Sequence, residues 1–294
     1  MMELGRVGIW SGELGLMPAV EMGRTVAIIE ELGYRTIWYP ESVTKEAFSQ
    51  AATILAAGDR IIAASGIANI WARDATAMIN GARTLGEAYP DRFMLGIGVS
   101  HAPTVADRGA DYRRPLDAMR SYLDAMAAAR YHGPQPAEEP PVMLAALGPR
   151  MLRLAAERTR GAHPYFVPVE HTAEARRVMG PDALLAPEQA VVLMSEAEEA
   201  RAVARKHTSA YLARDNYRNN LLRLGWGEAD LSEGASDAAV DAVVAWGDSE
   251  AIRDRVAAHL AAGADHVSVQ VLTDETGGYP IAELRELTPA LAEL

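Results

Sequence analysis

Short apolar runs alternate with longer stretches in which apolar residues recur every three or four positions, and the alternation continues along the whole chain. The runs have the length of buried strands, and the stretches have the period of amphipathic helices. "RVGIW" (6–10) precedes "AVEMGRTVAIIEELG", where Val20, Val26, Ile29 and Leu32 share a predicted buried face and Gly33 supplies a stop. "RTIWY" (35–39), "RIIAASGI" (60–67) and "RFMLGIGV" (92–99) are the next predicted strands, each followed by a helical stretch, the last after a polar loop. "PVMLAAL" (141–147), "AHPYFV" (162–167), "QAVVLM" (189–194) and "ADHVSVQVL" (264–272) complete the series.

These eight strand–helix units predict one α/β domain over 1–294, a (β/α)8 TIM barrel. The stretch 196–262 reads as helical and is too long for one crossover, so a helical insertion of about 196–247 is expected after the seventh strand. A doubly wound open sheet is the other architecture with this rhythm. The first strand-to-helix turn, "WSGELGLMP", lacks the G-x-G-x-x-G fingerprint that would favour it.

Composition narrows the chemistry. The absence of cysteine excludes disulfides, thiolate metal sites and cysteine nucleophiles, and it suits a cytoplasmic protein. Forty acidic against 28 basic residues, a net charge of −12, argues against nucleic acid or an anionic membrane as a partner. No apolar run approaches the ~20 residues of a spanning helix. Small molecules and other subunits remain.

In a barrel, chemistry gathers where strands end. Trp10, Glu41, Ser42, the stretch 66–71, Gly98, Val99, Ser100, His101, the stretch 145–149 and Gln270 occupy those positions. Rich in glycine and aromatics and poor in ligating groups, they describe a pocket for a flat organic molecule; a metal site is not expected. Glu41 is read either as a site carboxylate or as a helix cap or partner of an arginine. His101 is either an acid or base or an orienter of its loop. In "AALGPRM", the Gly148-Pro149 helix start, with Arg150 beside it, leaves backbone donors for an anion. His132, His207, His259 and His266 are expected away from the barrel mouth, and His171 in solvent. "SGIANIWARD" is the oddest stretch, since it places a tryptophan in the link between strand and helix.

"GYRTIWYPES", "SGIANIWARDATAM", "LGEAYPDRFMLGIGVSHAP", "LAALGPRM" and "WGDSEAIRDRVAAHLAAGADHVSVQV" resemble, in order, the bacterial luciferase-like superfamily. The likeness is greatest to its oxidoreductases that use the deazaflavin coenzyme F420. The resemblance implies a non-prolyl cis peptide at Gly66-Ile67 facing the ring, with Asn69 bonding either the loop or the ring edge. Gly98, Val99 and Ser100 would line the cofactor, and Ala145, Ala146, Leu147, Gly148, Pro149 and Arg150 would hold its phosphate. Trp10, Trp71 and Gln270 would border the substrate, with Trp71 read either as a wall of the cofactor or substrate pocket or as packing of its own loop. Glu41 matches a family aspartate that contacts the ring, and Ser42 matches a histidine that is catalytic in some members. Serine is no comparable acid or base, which leaves His101, at the position of a catalytic glutamate in some members, as the proton carrier. The implied function is hydride transfer between F420 and a small organic substrate in a homodimer. A monooxygenase using FMN, or a non-catalytic flavin-binding relative, is the alternative.

Overall fold

The computed structural model describes residues 2–232, 234–274 and 278–294. In chain order the elements are β1 (Val7–Trp10), α1 (Ala19–Glu31), β2 (Thr36–Tyr39), α2 (Ala47–Ala57), β3 (Ile62–Ser65), β4 (Ala68–Asn69), α3 (Ala75–Ala88) and β5 (Phe93–Gly98). Then come α4 (Ala102–Asp107), α5 (Pro115–Ala128), β6 (Val142–Leu144), α6 (Pro149–Arg158), β7 (Gly161–Ala162), α7 (Val169–Met179), β8 (Leu184–Leu185) and β9 (Glu188–Leu193). The chain ends with α8 (Ala197–Leu212), α9 (Asp215–Arg223), α10 (Asp237–Val243), β10 (Val244–Gly247), α11 (Ser249–Ala261), β11 (Val267–Val271) and α12 (Ile281–Leu291).

Every strand pairing is parallel, in the order β10-β9-β11-β1-β2-β3-β5-β6-β7-β8, with β4 beside β5. The segment 184–193 bonds on both flanks. Ala186 and Glu188 donate to Ala162 and Pro164 on one side, while Leu185 and Pro187 accept from Asp265 and Ser268 on the other. The sheet is therefore TIM-barrel-like, with a core on each face. Outside, Val26, Ile29, Ile54, Met78, Leu95 and Leu152 belong to the layer between strands and helices. Inside, Trp10, Trp38, Ala64, Met94, Met143 and Val192 pack together, and the same cluster extends to Leu212, Tyr217 and Val240 of α8, α9 and α10.

Four expectations change. Val20 is exposed, because Met22, Thr25, Val26 and Ile29 form the buried stripe of α1 and Val20 lies two residues from Met22, off that face. The stretch 196–262 is not helical throughout, since "VAWG" forms β10 and pairs with β9 from Val244↔Ala190 onward. The predicted loop before α5 contains α4. The predicted strand 162–167 ends at Ala162, two residues before Pro164, which has no N–H for a ladder. Tyr165 and Phe166 consequently stand beyond a strand end, and Phe166 adopts a left-handed φ of 56°.

Candidate functional site

The third strand is interrupted where the sequence looked odd. Ala63↔Phe93 and Ala64↔Met94 pair normally, and pairing resumes at Ala68↔Ile97 and Asn69↔Gly98, so the strand carries one extra residue. Across the gap Ser65 replaces the ladder with its side chain: its Oγ accepts from Gly96 N–H at 2.9 Å and its hydroxyl donates to Gly96 O at 2.8 Å. The Gly66-Ile67 peptide inside the bulge is cis. Ile67 reaches toward β5 and β6, since a Cβ on Gly98 would lie 2.6 Å from Ile67 Cγ1 and 3.2 Å from Ala145 Cβ. Gly66, Ile67, Gly98 and Ala145 are thus brought together at neighbouring strand ends.

Glu41 is committed elsewhere. Its Oε2 accepts from Asn69 N–H at 2.8 Å and Arg73 Nη1 at 2.9 Å, while Oε1 accepts from Ala47 N–H at 3.2 Å and from Arg73 Nη2. Its side chain is 3% exposed and that of Arg73 11%. A carboxylate with both oxygens engaged by an arginine and two amides is no free acid or base, so the cap-and-arginine reading replaces the catalytic one. Ser42 is exposed, and its carbonyl accepts from Arg108 Nη2 at 3.3 Å.

Trp71 ties the strand ends together. Its indole N–H donates to Val99 O at 2.9 Å and its backbone N–H to Asn69 Oδ1 at 3.0 Å. Half-buried, it packs against the outer core and supports the loop. Asn69 Nδ2 is buried with no partner among the described residues. Ser100 takes a left-handed φ of 59° and turns the chain into His101. There Nδ1 lies 3.0 Å from Asn216 Oδ1 of α9, which fixes Nδ1–H as donor and leaves Nε2 as the lone-pair nitrogen. Burial lowers the His101 pKa, the Asn216 bond opposes that shift, and nearby Arg214 adds to it.

Beyond β6, Ala146 is buried, and Gly148 and Pro149 open α6. A Cβ on Gly148 would meet nothing within 4 Å, so this helix start is sterically open; Arg150 is exposed in its first turn. The Leu147 carbonyl is drawn away by His171 Nε2 at 2.8 Å. His171 is fully buried, not solvent-exposed, with its pKa lowered to about 4 chiefly by burial.

Trp10 and Gln270 meet through a residue that strand-end reasoning missed. The Tyr165 ring lies 4.8 Å from that of Trp10, and its hydroxyl bonds Gln270 Oε1 at 2.8 Å and Tyr211 Oη at 2.9 Å. Phe166, Tyr217 and His207 join this cluster, so His207 lies beside the mouth, contrary to expectation. Glu188, at the start of β9, accepts from Phe166 N–H at 3.0 Å, and burial raises its pKa to about 8. The signal for Tyr165 and Phe166 lay in Pro164, which ends the strand. For Arg73 it lay only in proximity to Trp71.

A cavity of about 320 Å³ lies at the opposite end of the sheet, near Leu4, Asp91, Arg160 and His266. Its carboxylates include Asp265, held by Arg176, and Glu139, held by Arg83. None of the predicted site residues line it.

The fold recurs in solved structures. An F420-dependent secondary alcohol dehydrogenase in complex with an F420-acetone adduct has a TM-score of 0.77 at 13% identity, covering 98% of this chain and 99% of that one. The oxygenating constituent of 3,6-diketocamphane monooxygenase from Pseudomonas putida, in complex with FMN, has a TM-score of 0.68 at 14% identity, covering 97% and 98%. In sequence, a protein of Mycobacterium tuberculosis (strain ATCC 25618 / H37Rv) named as a coenzyme F420-dependent oxidoreductase is 28% identical over 198 residues. That match spans 56% of this chain and 57% of the relative's own length. The pattern of the luciferase-like monooxygenases matches residues 4–266, nearly the whole chain, and the protein belongs to that family.

Proposed function

We infer that the protein transfers a hydride between coenzyme F420 and a small organic substrate. The observation that carries this reading is the meeting of Ile67, Gly98 and Ala145 at the strand ends, with the open α6 start at Gly148 following directly along the chain from Ala145. A flat ring with a phosphate-bearing tail matches that layout, and the F420-linked name of the mycobacterial relative supports the choice of ring. The fold is read as an eight-unit barrel with 196–247 inserted after β9, acting as one homodimeric cytoplasmic domain.

When bound, F420 supplies a carbon that carries the hydride. This chain's residues do the rest. The Gly66-Ile67 peptide backs one face of the ring, with Val99 and Ser100 alongside. Asn69 Nδ2, a buried donor without a partner among the described residues, suits an acceptor at the ring edge. Gly148 and Arg150 receive the phosphate at the helix start, while His171 keeps the Leu147 carbonyl out of its way. His101 exchanges a proton at Nε2, oriented by Asn216. Glu41 and Arg73 hold the bulge in place.

Fluorescence titration of the pure protein with F420 and with FMN tests this reading. Preferential quenching by F420, followed by single-turnover hydride transfer, is the expected result. Tighter binding of FMN with oxygen consumption would make the protein a monooxygenase, and binding without transfer would make it a non-catalytic relative.

A further inference from the structure

One arginine stands apart from the rest. Among the described residues, every other partly buried arginine meets a carboxylate or at least two backbone carbonyls. Most have acids, as Arg73 has Glu41, Arg176 has Asp265 and Arg201 has Asp241. Arg92 and Arg255 are held by backbone carbonyls instead. Arg214, the partly buried residue before α9, makes one hydrogen bond, from Nη1 to Ala210 O at 2.6 Å. No carboxylate among the described residues lies within ion-pair distance of it, in a chain with 40 acidic against 28 basic residues. Most of its five N–H donors, set in the planar fork that suits a carboxylate, are therefore uncommitted.

Its position gives that vacancy of partners a meaning. Asn216, two residues on, bonds His101 Nδ1 at 3.0 Å, so the start of α9 brings the guanidinium and the proton carrier to one rim of the barrel mouth. Arg214 lies over the Tyr211 ring at 4.9 Å. Its charge is felt on both neighbouring histidines. Burial first, and Arg214 after it, hold the His207 pKa at about 4. The same two causes lower that of His101, against the Asn216 bond. The acids nearby do not cancel this field. Glu188, close to the tyrosines, is largely protonated at neutral pH, its pKa raised to about 8 by burial against the opposing Phe166 N–H. Glu13 accepts from Ser11 Oγ at 2.9 Å, and the charge of Asp215 acts on Arg218, which pairs with Glu228.

We propose that the substrate carries a carboxylate, which pairs with Arg214 at the rim while the reacting carbon lies toward His101. This rests on the oxidoreductase reading and names the substrate class and a specificity-determining residue of the same site.

Hexanoate, hexanamide and hexylamine share one chain and differ in charge. Saturation-transfer NMR titrations with the full chain, with and without F420, measure their affinities independently of turnover. Hexanoate is expected to bind at least tenfold tighter than the other two, with a preference that weakens as salt is added. Arg214→Gln, checked for folding by thermal melting, should abolish the preference and Arg214→Lys should keep part of it, while both bind F420 like the parent. Equal affinities for the three probes in the parent, or an unchanged preference in folded Arg214→Gln, overturns the proposal. A loss of F420 affinity in that variant also overturns it, because the guanidinium would then hold an anionic group of the coenzyme. Should Arg214→Gln fail to fold, the parent's charge preference and its salt dependence decide alone. F420 binding without a preference for hexanoate rejects only the substrate class; a preference for hexanoate without F420 binding rejects only the coenzyme.

Discussion

Arg73 grips both carboxylate oxygens of Glu41 across 32 residues of sequence, and the same carboxylate holds the backbone N–H groups of Asn69 and Ala47. One ion pair therefore joins the chain after β2, the bulge after β3 and the start of α2. Removing one partner of a buried pair leaves the other charge uncompensated, at a cost of about 3–5 kcal/mol. Arg73→Ala should lower the urea midpoint accordingly and weaken F420 binding, and Glu41→Gln, which keeps the shape but turns an NH2 toward donors that had met a carboxylate oxygen, should cost a comparable amount. Equal, small losses in both variants would mean that the pair does not hold the bulge.

Gly148 offers a cleaner separation of binding from folding. Its φ of −82° suits any residue, and a Cβ there meets open space, so Gly148→Asp should melt near the parent temperature. The added carboxylate would face a bound phosphate at the α6 start, and F420 affinity should fall at least tenfold by titration. A deazaflavin lacking the phosphate should bind as before. Unchanged F420 affinity would move the phosphate elsewhere.

The strands and the glycine-rich strand ends were legible because burial imposes periodicity, and because Gly66, Gly98 and Gly148 stand where apolar runs stop. What was not legible lies in pairings across long separations. Nothing local ties Glu41 to Arg73, Tyr165 to Gln270 at 105 residues, or His101 to Asn216 at 115. β10 was missed for a related reason: "VAWG" is too short to show a period and becomes a strand by lying beside β9. Tyr165 and Phe166 were hidden inside a strand drawn too long, although Pro164 marked its end. His171 looked like a surface residue because its partner, the Leu147 carbonyl, lies 24 residues earlier.

Buried titratable groups set the pH dependence of stability. Folded His163, His171, His207 and His266 have pKa values of about 4 and His259 about 3, all chiefly through burial and all below the ordinary value of 6.5. The unfolded chain binds more protons, so stability is fully present above pH 6.5 and is lost as pH falls toward 4 and below. Glu188 has the opposite sign. Its folded pKa of about 8 exceeds the ordinary 4.5, so its contribution is full below pH 4.5 and declines as pH rises to 8. With five histidines against one carboxyl, the acid limb dominates below pH 6.5, and the decline from 6.5 to 8 belongs to Glu188. Denaturant midpoints across pH 5 to 9 should show that decline in the parent and its loss in Glu188→Gln, whose amide oxygen still accepts from Phe166 N–H. The same slope in both would place the alkaline decline on another group.

His101 is the remaining proton carrier, and its surroundings specify how it acts. With Nδ1–H donated to Asn216 and the pKa lowered by burial, the ring is predominantly neutral at pH 7 and presents Nε2 as a base. His101→Ala should bind F420 like the parent, since the ring contributes to proton transfer and not to holding the coenzyme, while turnover falls by ~10² or more. Asn216→Ala removes only the orienting acceptor: the tautomer is no longer fixed, turnover should fall by about tenfold, and the acid limb of the rate profile should move, because the Asn216 bond had favoured the protonated ring. The sign follows from that bond, so losing it lowers the His101 pKa further and shifts the acid limb to lower pH. An unshifted profile with a normal rate would leave His101 as a support for the turn at Ser100, and proton transfer would pass to the Tyr165–Tyr211 pair at the same mouth.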